Sequence, residues 1–279
     1  MTAPPPGPHP PRRSVWRWVC GVYLALLHAA VIVLVLKTNF LLLAGKSLGI
    51  VPPEEWSIPL VQGMLALGER DAAADIDSIV LLGDSLIAQL DPLAIHTRAV
   101  NLGLGGDTTE TLPARMGGLR APGQARSVVI GIGVNDLKYR APRTIAPNIA
   151  RILGRIPPHI PVILLSVLPV DEAGPAARAR PYLRNGAIQS MNAVLKAACD
   201  ARSNCRYADA WPAFSTARPD GLYGGDGWHL SADGNRALSA VIRSALAMID
   251  AQNPGAAPTI GHGPASAVPP NDATRLPQP

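Results

Sequence analysis

Apolar residues along the chain fall into two kinds of run. Short, mostly apolar stretches bounded by glycine or polar residues occur at 79–82, 99–102, 127–132, 161–168 and 205–208. Such unalternating runs predict strands covered on both faces. Between them apolar residues recur at helical spacing: Ile145, Ile149, Ile152, Leu153 and Ile156, then Ile188, Met191, Leu195 and Cys199, then Leu238, Val241, Ile242, Leu246 and Ile249. A further helix is predicted from Glu54 to Glu69, behind Pro52 and Pro53. Strands alternating with helices imply a parallel sheet between helical layers. In such a sheet functional groups collect at the carboxyl ends of the strands.

One apolar run differs from the rest. The 19 residues between Arg17 and Lys37 carry no charge, and as a helix they would reach roughly 28 Å, close to a bilayer core of about 30 Å. The expectation is a membrane anchor over residues 18–36. The arginines before it place the amino terminus in the cytoplasm and the rest of the chain on the extracytoplasmic side. A cleaved signal peptide is the alternative, but this run exceeds the usual length of about 7–15 residues and no clear A-x-A site follows it. His28, alone within the run, reads as a packing or interfacial residue.

Charge changes the picture little. Of the formal net charge of +5, four units come from Arg12, Arg13, Arg17 and Lys37, in a segment without acids. The remainder is close to neutral, which argues against a nucleic-acid partner. Residues 1–17 form a basic, proline-rich tail and residues 252–279 are rich in Pro, Ala and Gly, so both are expected to be disordered. Residues 37–77 read as a connector and 78–251 as one domain. Of the three cysteines, Cys20 lies in the uncharged run. Cys199 and Cys205 are six residues apart, and a single bridge or two buried thiols both fit. No histidine sits near them at ligand spacing, so no metal and no organic cofactor are expected.

The chemistry concentrates where predicted strands end. The first strand runs into Gly83-Asp84-Ser85, a strand-to-helix turn where a serine is exposed beside free N–H groups; an N-cap role is the plain alternative. The second ends in Asn101-Leu-Gly-Leu-Gly-Gly106-Asp-Thr-Thr-Glu110, in which Asp107 and Glu110 resemble a capping box. Thr108 stands where a dinucleotide fingerprint needs its third glycine, and no Walker A pattern is present. The third ends in Gly133-Val-Asn135-Asp136, which reads either as an Asx turn or as a side-chain amide donor at the same edge. Before the last helix comes Asp226-Gly-Trp-His229. Among six histidines only His229 has an acid three residues ahead, so Asp226 can orient one ring nitrogen while the other faces a serine.

These four blocks, in this order, resemble those of the SGNH (GDSL-type) hydrolases over residues 78–250. The wording of the second block is most similar to the platelet-activating-factor acetylhydrolase and lysophospholipase-like branch. The resemblance implies a flavodoxin-like three-layer α/β/α sandwich with five parallel strands. It also implies Ser85 as nucleophile, His229 as base, Asp226 as its orienting acid, and the N–H groups of Ser85 and Gly106 with the Asn135 side chain as oxyanion hole. The expected activity is hydrolysis of an acyl ester, of a lipid or of an acetylated sugar. A carbohydrate O-acetyl esterase or acetyltransferase, and a non-catalytic anchored scaffold, are the alternatives.

Overall fold

The computed structural model describes residues 13–37, 57–215 and 221–252. Most of both expected tails and nearly half of the connector therefore lie outside the described residues. Contacts divide the chain into two compact units, Met1–Ala66 and Leu67–Pro279. The first contains α1 (Arg13–Lys37), and α2 (Ile58–Ala72) begins in it. The elements that follow are β1 (Ile79–Gly83), α3 (Ser85–Ala88), β2 (Ala99–Gly103), α4 (Thr111–Met116), β3 (Ser127–Gly131) and α5 (Ala146–Gly154). They continue with β4 (Val162–Leu165), α6 (Pro175–Ala179), α7 (Asn185–Asp200), β5 (Cys205–Ala208), α8 (Trp211–Ser215) and α9 (Ala232–Gln252).

The five strands pair in parallel in the order β2-β1-β3-β4-β5. That is the doubly wound order whose switch point lies between the first and third strands. The unalternating apolarity of the strands follows from their surroundings. Val80, Leu82, Val128, Ile130, Val162 and Leu164 pack on one face with Leu112, Ile149, Ile152, Ile188, Met191 and Leu195. Their neighbours Ile79, Leu81, Val129, Ile163 and Leu165 pack on the other with Leu86, Ile87, Phe214, Leu238, Ile242 and Leu246. Helices thus cover both faces, as a fully parallel sheet requires.

The differences from the sequence reading are local. β4 stops at Leu165 rather than Leu168, because the Val167 N–H and C=O are taken by the side-chain amide of Asn192 (2.8 and 2.9 Å) instead of a neighbouring strand. Ile145 belongs to a 3₁₀ turn, Pro142–Ile145, ahead of α5. The helix expected from Glu54 is described from Ile58 and runs on to Ala72. Cys199, at the end of α7, and Cys205, at the start of β5, form a disulfide with Cα atoms 5.2 Å apart, which decides between the two readings of that pair.

The span expected over residues 18–36 requires a correction. Among the described residues no helix is long and apolar enough to cross a membrane. α1 is helical over 25 residues, and its described side chains, Trp16–Val31 and Val33, are exposed.

Candidate active site

The site forms at the carboxyl edge of the sheet, and close backbone approach there is what seats the serine. Gly83, Gly103 and Gly131 lie in register across β2, β1 and β3. A Cβ on Gly83 would fall 1.9 Å from the Gly131 carbonyl oxygen, and one on Gly103 would fall 2.5 Å from the Ala88 nitrogen. With no side chains in this row, α3 can begin directly over the strand ends. Asp84 caps that helix, its Oδ1 accepting the Leu86 N–H at 3.0 Å. Asn101 holds the other end, donating from Nδ2 to the carbonyls of Ile87 (2.7 Å) and Leu90 (2.9 Å). Ser85 is therefore the first residue of a short helix clamped at both ends, half-buried at the sheet edge.

The loop before α9 brings the remaining chemistry to it. Ser85 Oγ lies 3.2 Å from His229 Nε2, and His229 Nδ1 lies 2.6 Å from Asp226 Oδ2. Asp226 Oδ1 accepts the N–H groups of Trp228 and His229, each at 2.9 Å. Burial pushes the Asp226 carboxyl up, but the hydrogen bonds from the His229 ring and from these two N–H groups outweigh it and hold the group below the usual carboxylate range. Between acid and base stands Gly227, at φ +73°, where a Cβ would fall 3.0 Å from Asp171 Cβ. Both the left-handed backbone and the close approach require glycine there.

Two further loops converge on the serine. A Cβ on Gly105 would lie 3.9 Å from Ser85 Cβ, so the loop after β2 passes beside it. The Asn135 amide Nδ2 donates to the Asp107 carbonyl at 2.9 Å. That contact places Asn135 against the residue next to Gly106 and leaves one amide hydrogen over. Among the described residues the N–H groups of Ser85 and Gly106 have no acceptor within the protein. All five residues expected at the site thus belong to one constellation: Ser85, His229 and Asp226 in a direct chain, and Gly106 and Asn135 on loops joined beside it.

What joins those loops was not read from the sequence. Asp136, fully buried, accepts the N–H of Thr109 at 2.8 Å, its hydroxyl at 2.5 Å, and the Arg140 guanidinium. Asp107 does not form the expected capping box with Glu110. It accepts the Thr111 hydroxyl at 2.5 Å and pairs with Arg115 Nε at 2.7 Å, while Glu110 pairs with Arg151. The box fails because the first turn of α4 is held by Thr108 Oγ1, which accepts the Glu110 and Thr111 N–H groups, each at 3.3 Å. Burial raises the carboxyls of Asp107 and Asp136, opposed by Arg115 for the first and by Thr109 for the second. Burial likewise pushes Asp84 up to about 7, against the Leu86 N–H and aided by Asp107 and Asp136. Asp136 is visible in the third block, but nothing in the pattern announces Arg115. Among the described residues no group of three or more His, Cys, Asp or Glu is placed to hold a metal ion.

Comparison with known proteins agrees with this geometry. Residues 80–237 match the GDSL-like Lipase/Acylhydrolase family. No curated protein sequence matches the chain. Among solved structures, one described as a candidate platelet activating factor from Streptococcus pneumonia superposes with a TM-score of 0.61 at 22% identity, over 67% of this chain and 92% of that one. A lipase/acylhydrolase from Enterococcus faecalis gives 0.53 at 24% identity, over 61% and 95%. A GDSL-like lipase from Bacteroides thetaiotaomicron gives 0.54 at 20%, over 67% and 98%. At these identities the likeness is one of fold. The family match covers more than half of the chain and contains Ser85, Gly106, Asn135, Asp226 and His229, and the chain therefore belongs to the GDSL-like lipase/acylhydrolase family and is an ester hydrolase.

Proposed function

We propose that the enzyme cleaves acyl esters through an acyl-enzyme on Ser85. His229 Nε2 takes the Ser85 proton as Oγ attacks the ester carbonyl. Asp226 holds the imidazole with the proton on Nδ1 and stabilises the imidazolium that forms. The oxyanion is met by the N–H groups of Ser85 and Gly106 and by the remaining Nδ2 hydrogen of Asn135. His229 then returns its proton to the leaving alcohol, and water, activated by the same nitrogen, releases the acid. The observation that carries this reading is the chain from Ser85 through His229 to Asp226, at 3.2 and 2.6 Å.

For the substrate, the reading is a short-chain or lysolipid ester, with acetylated envelope carbohydrate as its competitor. The full chain in detergent, given p-nitrophenyl esters, a lysophospholipid and acetylated xylan, separates these. Turnover of xylan alone selects the carbohydrate reading, and turnover of none by wild type contradicts both.

The proposed location is extracytoplasmic. Its support is the uncharged run inside α1 and the Cys199–Cys205 bridge, a bond that persists in oxidising compartments. A reporter fused after Ala251 should be active only outside the cytoplasm; cytoplasmic activity contradicts the placement.

A further inference from the structure

The segment between β4 and α7 carries three arginines, Arg178, Arg180 and Arg184, and no acid from Ala173 to Arg184. It is tied to the catalytic loop by two backbone hydrogen bonds, Asp171 N–H to the Gly227 carbonyl and Ala176 N–H to the Asp226 carbonyl, both 3.0 Å. Through this tie Arg180 is set over the ring of Trp228, its Cζ 5.2 Å from the centroid. Trp228 in turn stacks on His229, with ring centroids 5.0 Å apart and planes inclined by 23°. Laid end to end, the two contacts keep the guanidinium within roughly 10 Å of the catalytic imidazole.

The neighbouring acids are engaged elsewhere. Asp171 accepts the Ala173 N–H, Glu172 accepts the Asn185 N–H, and Asp226 serves His229. Arg184 donates to the carbonyls of Ala177 and Leu183. Among the described residues Arg180 has no carboxylate partner, and its contact is with the indole face of Trp228. Nor is Trp228 held by its polar atom: among the described residues the buried Nε1 has no hydrogen-bond partner. What the indole contributes is its ring, in contact with both the base and the arginine.

We propose that Arg180, presented by Trp228, is a subsite for an anionic group, phosphate or carboxylate, on the alcohol half of the ester. The side of the ester follows from the reaction, and in this the proposal rests on the roles given to Ser85 and His229. His229 Nε2 protonates the departing oxygen, so the alcohol half lies on the His229 side, and beyond it stand Trp228 and Arg180. A planar guanidinium suits the two oxygens of a phosphate or carboxylate.

The test uses two matched pairs of acetyl esters with the full chain in detergent. The first pair is 1-acetylglycerol 3-phosphate and 1-acetylglycerol. The second is a methyl O-acetylglucuronide and the matching methyl O-acetylglucoside. In at least one pair wild type should favour the charged member in kcat/KM by about tenfold or more, as a charge-assisted hydrogen bond provides, and the favoured pair identifies phosphate or carboxylate as the source. Arg180→Gln should bring that ratio near one, Arg180→Lys should retain part of it, and added salt should shrink it. A wild-type ratio near one in both pairs, or a ratio unchanged by Arg180→Gln, overturns the subsite. A second arm needs no turnover: the favoured charged alcohol, glycerol 3-phosphate or methyl glucuronide, should bind the Ser85→Ala protein and lose that binding when Arg180→Gln is added. Binding that survives the double substitution also overturns it, whereas turnover that survives Ser85→Ala counts against the nucleophile and leaves the subsite readable by binding.

Discussion

Asp84, next to the proposed nucleophile, offers a test of the site's electrostatics that is independent of any substrate. Its side chain is buried, and burial, with Asp107 and Asp136 nearby, pushes its carboxyl from 3.8 up to about 7 despite the Leu86 N–H that it accepts. In the unfolded chain the group ionises near 3.8; in the folded chain it keeps its proton until about 7. Between those values the folded state binds the extra proton. The stability it contributes is therefore fully present below about pH 3.8 and is lost as pH rises through 7. At 1.36 kcal/mol per unit the loss across this window is about 4 kcal/mol. Asn at this position cannot ionise, yet its carbonyl oxygen can still cap α3. Asp84→Asn should match wild type near pH 4 and exceed it by about 4 kcal/mol at pH 8, read from urea unfolding at half-unit pH intervals. The other raised carboxyls are present in both proteins and largely cancel in the difference. A stability difference that stays constant from pH 4 to 8 would refute the reasoning.

Other expectations follow from single contacts. Asn135→Ala should lower kcat by about 10²–10³ and leave KM nearly unchanged, and an unchanged kcat in steady-state assays would remove Asn135 from the oxyanion hole. Asn135→Asp should be at least as inactive and should also melt earlier than Asn135→Ala, because it sets a carboxylate oxygen against the Asp107 carbonyl. Asp136→Ala should destabilise by about 3–5 kcal/mol in urea unfolding, since it strips Arg140 and Thr109 of a buried partner; a loss under 1 kcal/mol, the size of a surface pair, would contradict that account. Reducing Cys199–Cys205 closes no new contact but frees a six-residue loop, and should lower stability by about 2 kcal/mol with the fold retained; thermal melts with and without reductant check this.

The sheet was legible because burial on both faces leaves an unalternating apolar mark, and Cys205–Ala208 was read with the bounds it has. Asp226 and His229 were legible from their three-residue spacing, and Ser85 from its place at the end of the first strand, although it meets His229 across 144 positions. Residues acting across loops left no such mark. Asp136 read as half of an Asn-Asp turn, yet its partner Thr109 lies 27 positions earlier. Arg115 stands outside the four blocks, and only the fold turns it under Asp107 and toward the Gly83 carbonyl. The end of β4 was overread because Val167 and Leu168 are as apolar as the strand, while the backbone bonds that end it come from Asn192 on a helix. The short helices α6 and α8, five residues each, are too brief for a helical period to show. Arg180 and Trp228 are 48 positions apart, and their contact depends on the tie between the segment after β4 and the catalytic loop.

The central claim is that Ser85 carries the acyl group, and intact-protein mass spectrometry with peptide mapping tests it most directly. A fluorophosphonate, and separately a slowly deacylating p-nitrophenyl ester quenched during turnover, should each add one adduct, on the peptide containing Ser85, and none to folded Ser85→Ala. An adduct on any other residue, or one that persists undiminished in Ser85→Ala, would contradict the account.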